Sequence, residues 1–171
     1  RGRSRLAHRA WGAKPASRRG KKATAPTGKR APQPARKPGE GDAFDTPEKA
    51  YAEAERRIAA AHASRATELD VQIRYLVRIP PSIAGLTALQ TLWLDGTRVA
   101  DLAPLAGLTA LQSLGLDRTQ VADLAPLAGL TALQSLGLDR TPVADLAPLA
   151  GLTALQSLWL HRTQVADLAP L

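Results

Sequence analysis

From Leu86 onward a block of 22 residues returns four times in register, over 86–107, 108–129, 130–151 and 152–171, the last copy running to Leu171. The second and third copies differ at one place only, Gln120 against Pro142. A more divergent copy precedes them, with Leu69, Val71, Leu76, Ile79, Ile83 and Leu86 at matching places and one additional residue. Self-similarity at this period restricts a chain to repeat architectures, in which each copy is one structural unit stacked on the next.

The second copy, LTALQSLGLDRTQVADLAPLAG, shows what one unit builds. Leu114 and Leu116 alternate with Ser113, Gly115 and Asp117, the pattern of a short strand with one face in and one out. Leu111, Val121, Leu124, Leu127 and Leu130 supply the rest of an inner face. Asp123 stands ahead of Leu124, Ala125 and Pro126, where it caps a short helical or 3₁₀ turn, and Gly129 is placed to end that turn. The unit reads as strand, bend, tight turn and return. Its few aliphatic groups cannot offset the entropy of ordering 22 residues, so the turns must stack and share one interior.

Upstream the composition changes. Residues 1–39 hold thirteen Lys or Arg and no Asp or Glu, whereas residues 40–171 hold the other ten basic residues and all fifteen acidic ones, so the net charge of +8 describes no single domain. With Leu6, Trp11 and Phe44 as its only large apolar groups, the stretch 1–45 cannot bury enough surface to fold and is expected to be a disordered basic tail. Over 46–66 a capping helix is expected: Thr46 serves as N-cap, Pro47 takes the first helical position, and Tyr51, Ala54, Ile58 and Ala61 recur at helical spacing. Residues 67–171 form the repeats, about five turns, expected to be cut at the C-terminal end because the last copy stops within its period.

The pattern LxxLxxLxLxxTxVxDLxPLxG resembles the 22-residue leucine-rich repeats of bacterial proteins, including the internalin-like class. The resemblance implies an α/β repeat solenoid, with short parallel strands on a concave face, whose business is protein recognition. In that family the position held here by Thr97, Thr119, Thr141 and Thr163 is usually Asn, whose amide links successive turns; a threonine has one hydroxyl proton to give where the amide has two, so the ladder is expected to be wired differently here. The segment EAERRIAAAHASRATELDVQ running into IPPSIAGLTAL also resembles the entry into repeats of bacterial proteins that carry a Roco-type GTPase.

Given such a face, alternation along each strand sorts the outward residues into rows: Thr91, Ser113, Ser135 and Ser157; Trp93, Gly115, Gly137 and Trp159; Asp95, Asp117, Asp139 and His161; Gly96, Arg118, Arg140 and Arg162. With parallel strands about 4.8 Å apart, Trp93 and Trp159 would stand roughly 14 Å apart across a bare gutter of two glycines. An exposed tryptophan is an effective interface anchor. The expected partner is therefore an extended peptide or loop of another protein, clamped between Trp93 and Trp159, rimmed by Arg118, Arg140 and Arg162, and met as well by Asp95, Asp117, Asp139 and His161. Nearly identical copies also carry identical surfaces simply by duplication. The row Asp95, Asp117, Asp139 is expected to pair with the neighbouring arginines on a solvated face rather than to hold a cation, and Asp101, Asp123, Asp145 and Asp167 to cap turns.

Other function classes find no support. Without Cys there is no thiolate metal site, disulfide framework or Cys nucleophile. His8, His62 and His161 do not converge with a Ser and an Asp, and Gly28-Lys29-Arg30 lacks the first glycine, the final Ser/Thr and the preceding strand of a phosphate loop. No catalytic residue, cofactor or metal is expected, and no apolar run reaches the length of a membrane span. The basic tail is expected to bind nucleic acid or an anionic surface weakly and without sequence preference, if it is more than a linker. Two function classes follow: a recognition module, or the sensor segment of a larger signalling enzyme with its GTPase elsewhere. With no export signal in view, bacterial cytoplasm is the expected compartment.

Overall fold

The computed structural model describes residues 45–169. The basic stretch expected to be a disordered tail, with Trp11, Phe44, His8 and the anion-binding reading attached to it, lies outside the described residues but for Asp45.

One α-helix, α1 (Pro47–Ser64), opens the structure. Thr46 is its N-cap, accepting the Lys49 N–H at 3.3 Å, and Pro47 occupies the first turn, where its missing N–H costs nothing. The helix ends where Arg65 turns left-handed (φ 52°) and its N–H reaches back to the carbonyls of Ala61 and His62. Its inward face is Ala50, Glu53, Ala54, Ile58 and Ala61. Tyr51, expected on that face, stands at its flank with the Arg78 guanidinium 4.8 Å above its ring, because small alanines let α1 approach the first turn closely. Glu53 is buried there at 7% exposure. Its carboxylate receives Arg56 through Nε and Nη2 and Arg57 through Nε, each at 2.7 Å, and Arg57 Nη1 goes on to the Asp70 carbonyl at 3.2 Å. The hydrogen bonds from Arg56, then those from Arg57, hold the Glu53 carboxyl below the usual carboxylate range against the opposing effect of burial.

Five three-residue strands follow: β1 (Glu68–Asp70), β2 (Thr91–Trp93), β3 (Ser113–Gly115), β4 (Ser135–Gly137) and β5 (Ser157–Trp159). They form one parallel sheet in sequence order, and the register sets Leu92, Leu114, Leu136 and Leu158 side by side. Parallel strands need a return path, and each 22-residue period supplies it through a 3₁₀ turn, at Ala103–Leu105, Ala125–Leu127 and Ala147–Leu149, with a longer one at Pro81–Gly85 before them. The aspartate ahead of each regular turn acts from one residue further out than a usual cap: Asp101, Asp123, Asp145 and Asp167 accept the N–H of Ala103, Ala125, Ala147 and Ala169 at 2.8 Å. The turn closes at Ala128 in right-handed geometry, directly before Gly129, which has no positive φ.

The stack is a solenoid with one continuous aliphatic interior. In the third turn Leu111, Leu114, Leu116, Val121, Leu124 and Leu127 are all buried, as is Leu130 at the start of the next. Neighbouring turns also join on the return side, where Arg98, Gln120 and Gln164 donate their N–H groups to Leu76, Val99 and Val143 of the preceding turn at 2.8–2.9 Å. In the last turn Leu155, Leu158, Leu160 and Val165 are only partly buried. No helix among the described residues is long and apolar enough to cross a membrane.

Candidate functional site

The outward side of the strands carries the rows read from alternation, but only part of each is open to solvent. Trp93 is 7% exposed. Its ring lies against the next strand at the place where Gly115 has no side chain: a methyl group there would stand 2.7 Å from Trp93 Cε3 and 2.5 Å and 2.9 Å from the Asp95 carboxylate oxygens. The glycine gutter is thus partly filled from one side, which corrects the expectation of an exposed Trp93 beside an empty channel. Trp159, paired in register with Gly137, is half-buried. Both indoles, with Ser113, Gly115, Ser135 and Gly137, border one shallow hollow of about 10 Å³.

The aspartate row is structural. The N–H of Asp117 donates to Asp95 Oδ1 at 2.8 Å, that of Asp139 to Asp117 Oδ1 at 3.0 Å and that of His161 to Asp139 Oδ1 at 2.7 Å, so each carboxylate tethers the turn that follows it. Asp95 and Asp117 are buried at 7% and 8% exposure and Asp139 is half-buried, which corrects their placement on a solvated face. This is the ladder between turns. The threonines take a different part: Thr97, Thr119 and Thr141 are buried, and their hydroxyls donate to Leu94, Leu116 and Leu138 within the same turn at 2.7–2.8 Å. A hydroxyl on so short a side chain closes its own bend, while the longer carboxylate two residues before it spans the gap to the next backbone.

Arg118, Arg140 and Arg162 stand just past the strands with left-handed backbones (φ 57°, 58° and 59°), at the place where the preceding turn has Gly96 (φ 69°). For a residue with a side chain that conformation costs roughly 1–2 kcal/mol, which glycine avoids. The turn persists because the backbone is held on its far side: the N–H groups of Gly96, Arg118 and Arg140 donate to the carbonyls of Asp117, Asp139 and His161 at 2.7–2.8 Å. All three arginines are exposed, and they form no ion pair among the described residues; the expected pairing with the aspartates is replaced by the ladder.

Alternation missed one group. On the first two turns Tyr75 lies between two guanidinium groups, Arg98 at 5.0 Å and Arg74 at 5.6 Å from its ring centre. Arg98 occupies the repeat position of Gln120, a substitution visible in the aligned copies; its partner Tyr75 belongs to the divergent first turn, whose extra residue obscures the register.

Among solved structures the chain is similar to internalin C2 of Listeria monocytogenes, with 36% sequence identity and a TM-score of 0.60 over 66% of this chain and 50% of that one. The chain has the leucine-rich-repeat fold. A leucine-rich-repeat protein of Leptospira interrogans matches it as well, at 25% identity and a TM-score of 0.55, over 62% of this chain and 28% of that one. This leucine-rich-repeat chain thus spans half the length of internalin C2 or less of the longer structure. No protein-family model and no curated protein matches the sequence. Among the described residues of the leucine-rich-repeat stack, no group of three or more His, Asp or Glu side chains is gathered where it could hold a metal ion.

Proposed function

We propose that the leucine-rich repeats form a protein-interaction module that takes a peptide or loop of a partner protein on the outward side of the strands. In this reading Trp159, His161, Arg118, Arg140 and Arg162 contact the partner, while Trp93, Asp95, Asp117 and Asp139 build the floor on which they stand. The observation that carries it is the shape of the floor. Four adjacent strands, β2 to β5, present serines, glycines and two indole edges around a hollow of about 10 Å³, far short of the roughly 300–1,000 Å³ of small-molecule pockets. A long, shallow, rigid strip with an aromatic group at one end suits an extended chain and gives a small metabolite nothing to enclose. Leucine-rich-repeat neighbours in bacteria support the same reading at the level of architecture.

The test is affinity capture with the full chain, Ser135→Lys and Ala122→Lys, followed by titration of each purified partner. Ser135 sits in the middle of the strip, and Ala122 is exposed on the return path. A partner lost with Ser135→Lys and retained with Ala122→Lys is the expected result. The opposite pattern refutes binding on the strand side.

A further inference from the structure

Three successive turns of the stack place an exposed arginine at the same repeat position, three residues past the strand: Arg118, Arg140 and Arg162. With parallel strands about 4.8 Å apart, the row runs for roughly 10 Å along the solenoid. We propose that this row is a docking rail for an acidic segment of a partner protein, a proposal that deepens the reading of the strand side as an interaction surface and rests on it.

Three observations carry the rail. The first is that the arginines are kept against the preference of the backbone. Arg118, Arg140 and Arg162 hold a left-handed turn that Gly96 adopts without strain one turn earlier. The second is that the last turn retains Arg162 although it changes both neighbouring rows, with Trp159 for glycine and His161 for aspartate. Duplication alone therefore does not account for the row. The third is that none of the three enters an ion pair among the described residues. The nearest aspartate row spends a carboxylate oxygen on the next backbone, and Asp101, Asp123, Asp145 and Asp167 are committed to the 3₁₀ turns.

Guanidinium groups recognise carboxylates through paired, planar hydrogen bonds. An extended segment rises about 3.4 Å per residue, so the rail matches some three residues. An acidic peptide fits better than a nucleic acid. Residues 45–169 carry thirteen acidic against ten basic groups, a net charge of −3, so a long polyphosphate leaving the rail meets a surface of its own sign. Nor do aromatic side chains alternate with the three arginines to stack on bases.

The experiment follows fluorescence anisotropy of labelled hexaglutamate with the full chain and with the variant R118G/R140G/R162G. Glycine removes the charge and suits the left-handed turn, so the variant keeps its fold, and a Tm equal to or above that of the parent checks this. The basic residues 1–39 are the same in both proteins, so the difference reads the rail. The expected result is at least tenfold weaker binding of hexaglutamate by the variant. Equal affinity for hexaglutamate overturns the rail. Unchanged hexaglutamate binding with at least tenfold weaker binding of labelled oligothymidylate assigns the row to nucleic acid and overturns it equally. If the rail fails while Ser135→Lys still abolishes partner capture, the strand-side reading stands without it.

Discussion

At Gly115 the chain has no room for a side chain, because the neighbouring turn has already used the space. Trp93 and Asp95 lie where a Cβ would go, and the backbone there cannot yield without disturbing the ladder that Asp95 makes to Asp117. Gly115→Ala is therefore expected to destabilise the protein by about 1–3 kcal/mol, the range for overpacking. Gly107, with nothing within 4 Å of the same point and no positive φ, is the control: Gly107→Ala leaves stability unchanged or raises it by up to about 1 kcal/mol. Equilibrium denaturation of the two variants measures the contrast. Thr119 offers a second test at this scale. Its hydroxyl satisfies the buried Leu116 carbonyl at 2.7 Å, so Thr119→Val, which keeps the shape and removes the donor, is expected to cost about 1 kcal/mol.

Among the elements, α1 is held to the first strand partly through charge. Glu53 gathers Arg56 and Arg57 on the inner face of the helix, and Arg57 carries the connection to the Asp70 carbonyl at the end of β1. Because the folded carboxyl titrates below its unfolded value of about 4.5, the contribution is fully present above that value and is lost as pH falls through the lowered folded value. Glu53→Gln is accordingly expected to lower stability at pH 7 and to differ little from the parent near pH 2. Denaturant midpoints for parent and variant at the two pH values decide it; a penalty of equal size at both would show that Glu53 acts by shape alone. The strands behave differently, since three residues cannot make a stable strand without the turns on either side.

Across the whole molecule stability is shared between neighbouring turns, so position along the stack matters as much as chemistry. Leu116 in the third turn is fully buried, whereas Leu160, its counterpart in the fifth, is only partly covered. Leu116→Ala is expected to cost about 2–5 kcal/mol and Leu160→Ala less. Native-state hydrogen exchange should show the same gradient, with slow amides at Leu114, Leu116 and Leu138 and faster ones at Thr163 and Gln164. Equal protection along the whole stack would mean that it opens as one unit. The repeated leucines made this interior legible in advance, residue by residue through the third turn. The outward face was less legible. Alternation placed Trp93, Asp95 and Asp117 on the correct side of the strand, but their burial depends on groups 22 positions away, and periodicity along one chain segment is silent on how two segments interlock.

What the amino-acid sequence determined by itself is the stacking of turns around a shared core. Aliphatic residues returning every 22 positions can leave water together only in that way, and Thr46 with Pro47 sets the start of the covering helix by local hydrogen bonding. What only the tertiary structure decided is the use of the polar rows. Whether a carboxylate pairs with an arginine or ties down the next backbone, and whether an indole stands in solvent or lies over a glycine, depends on strand spacing and backbone direction at each bend. Those distances exist only once the turns are in contact.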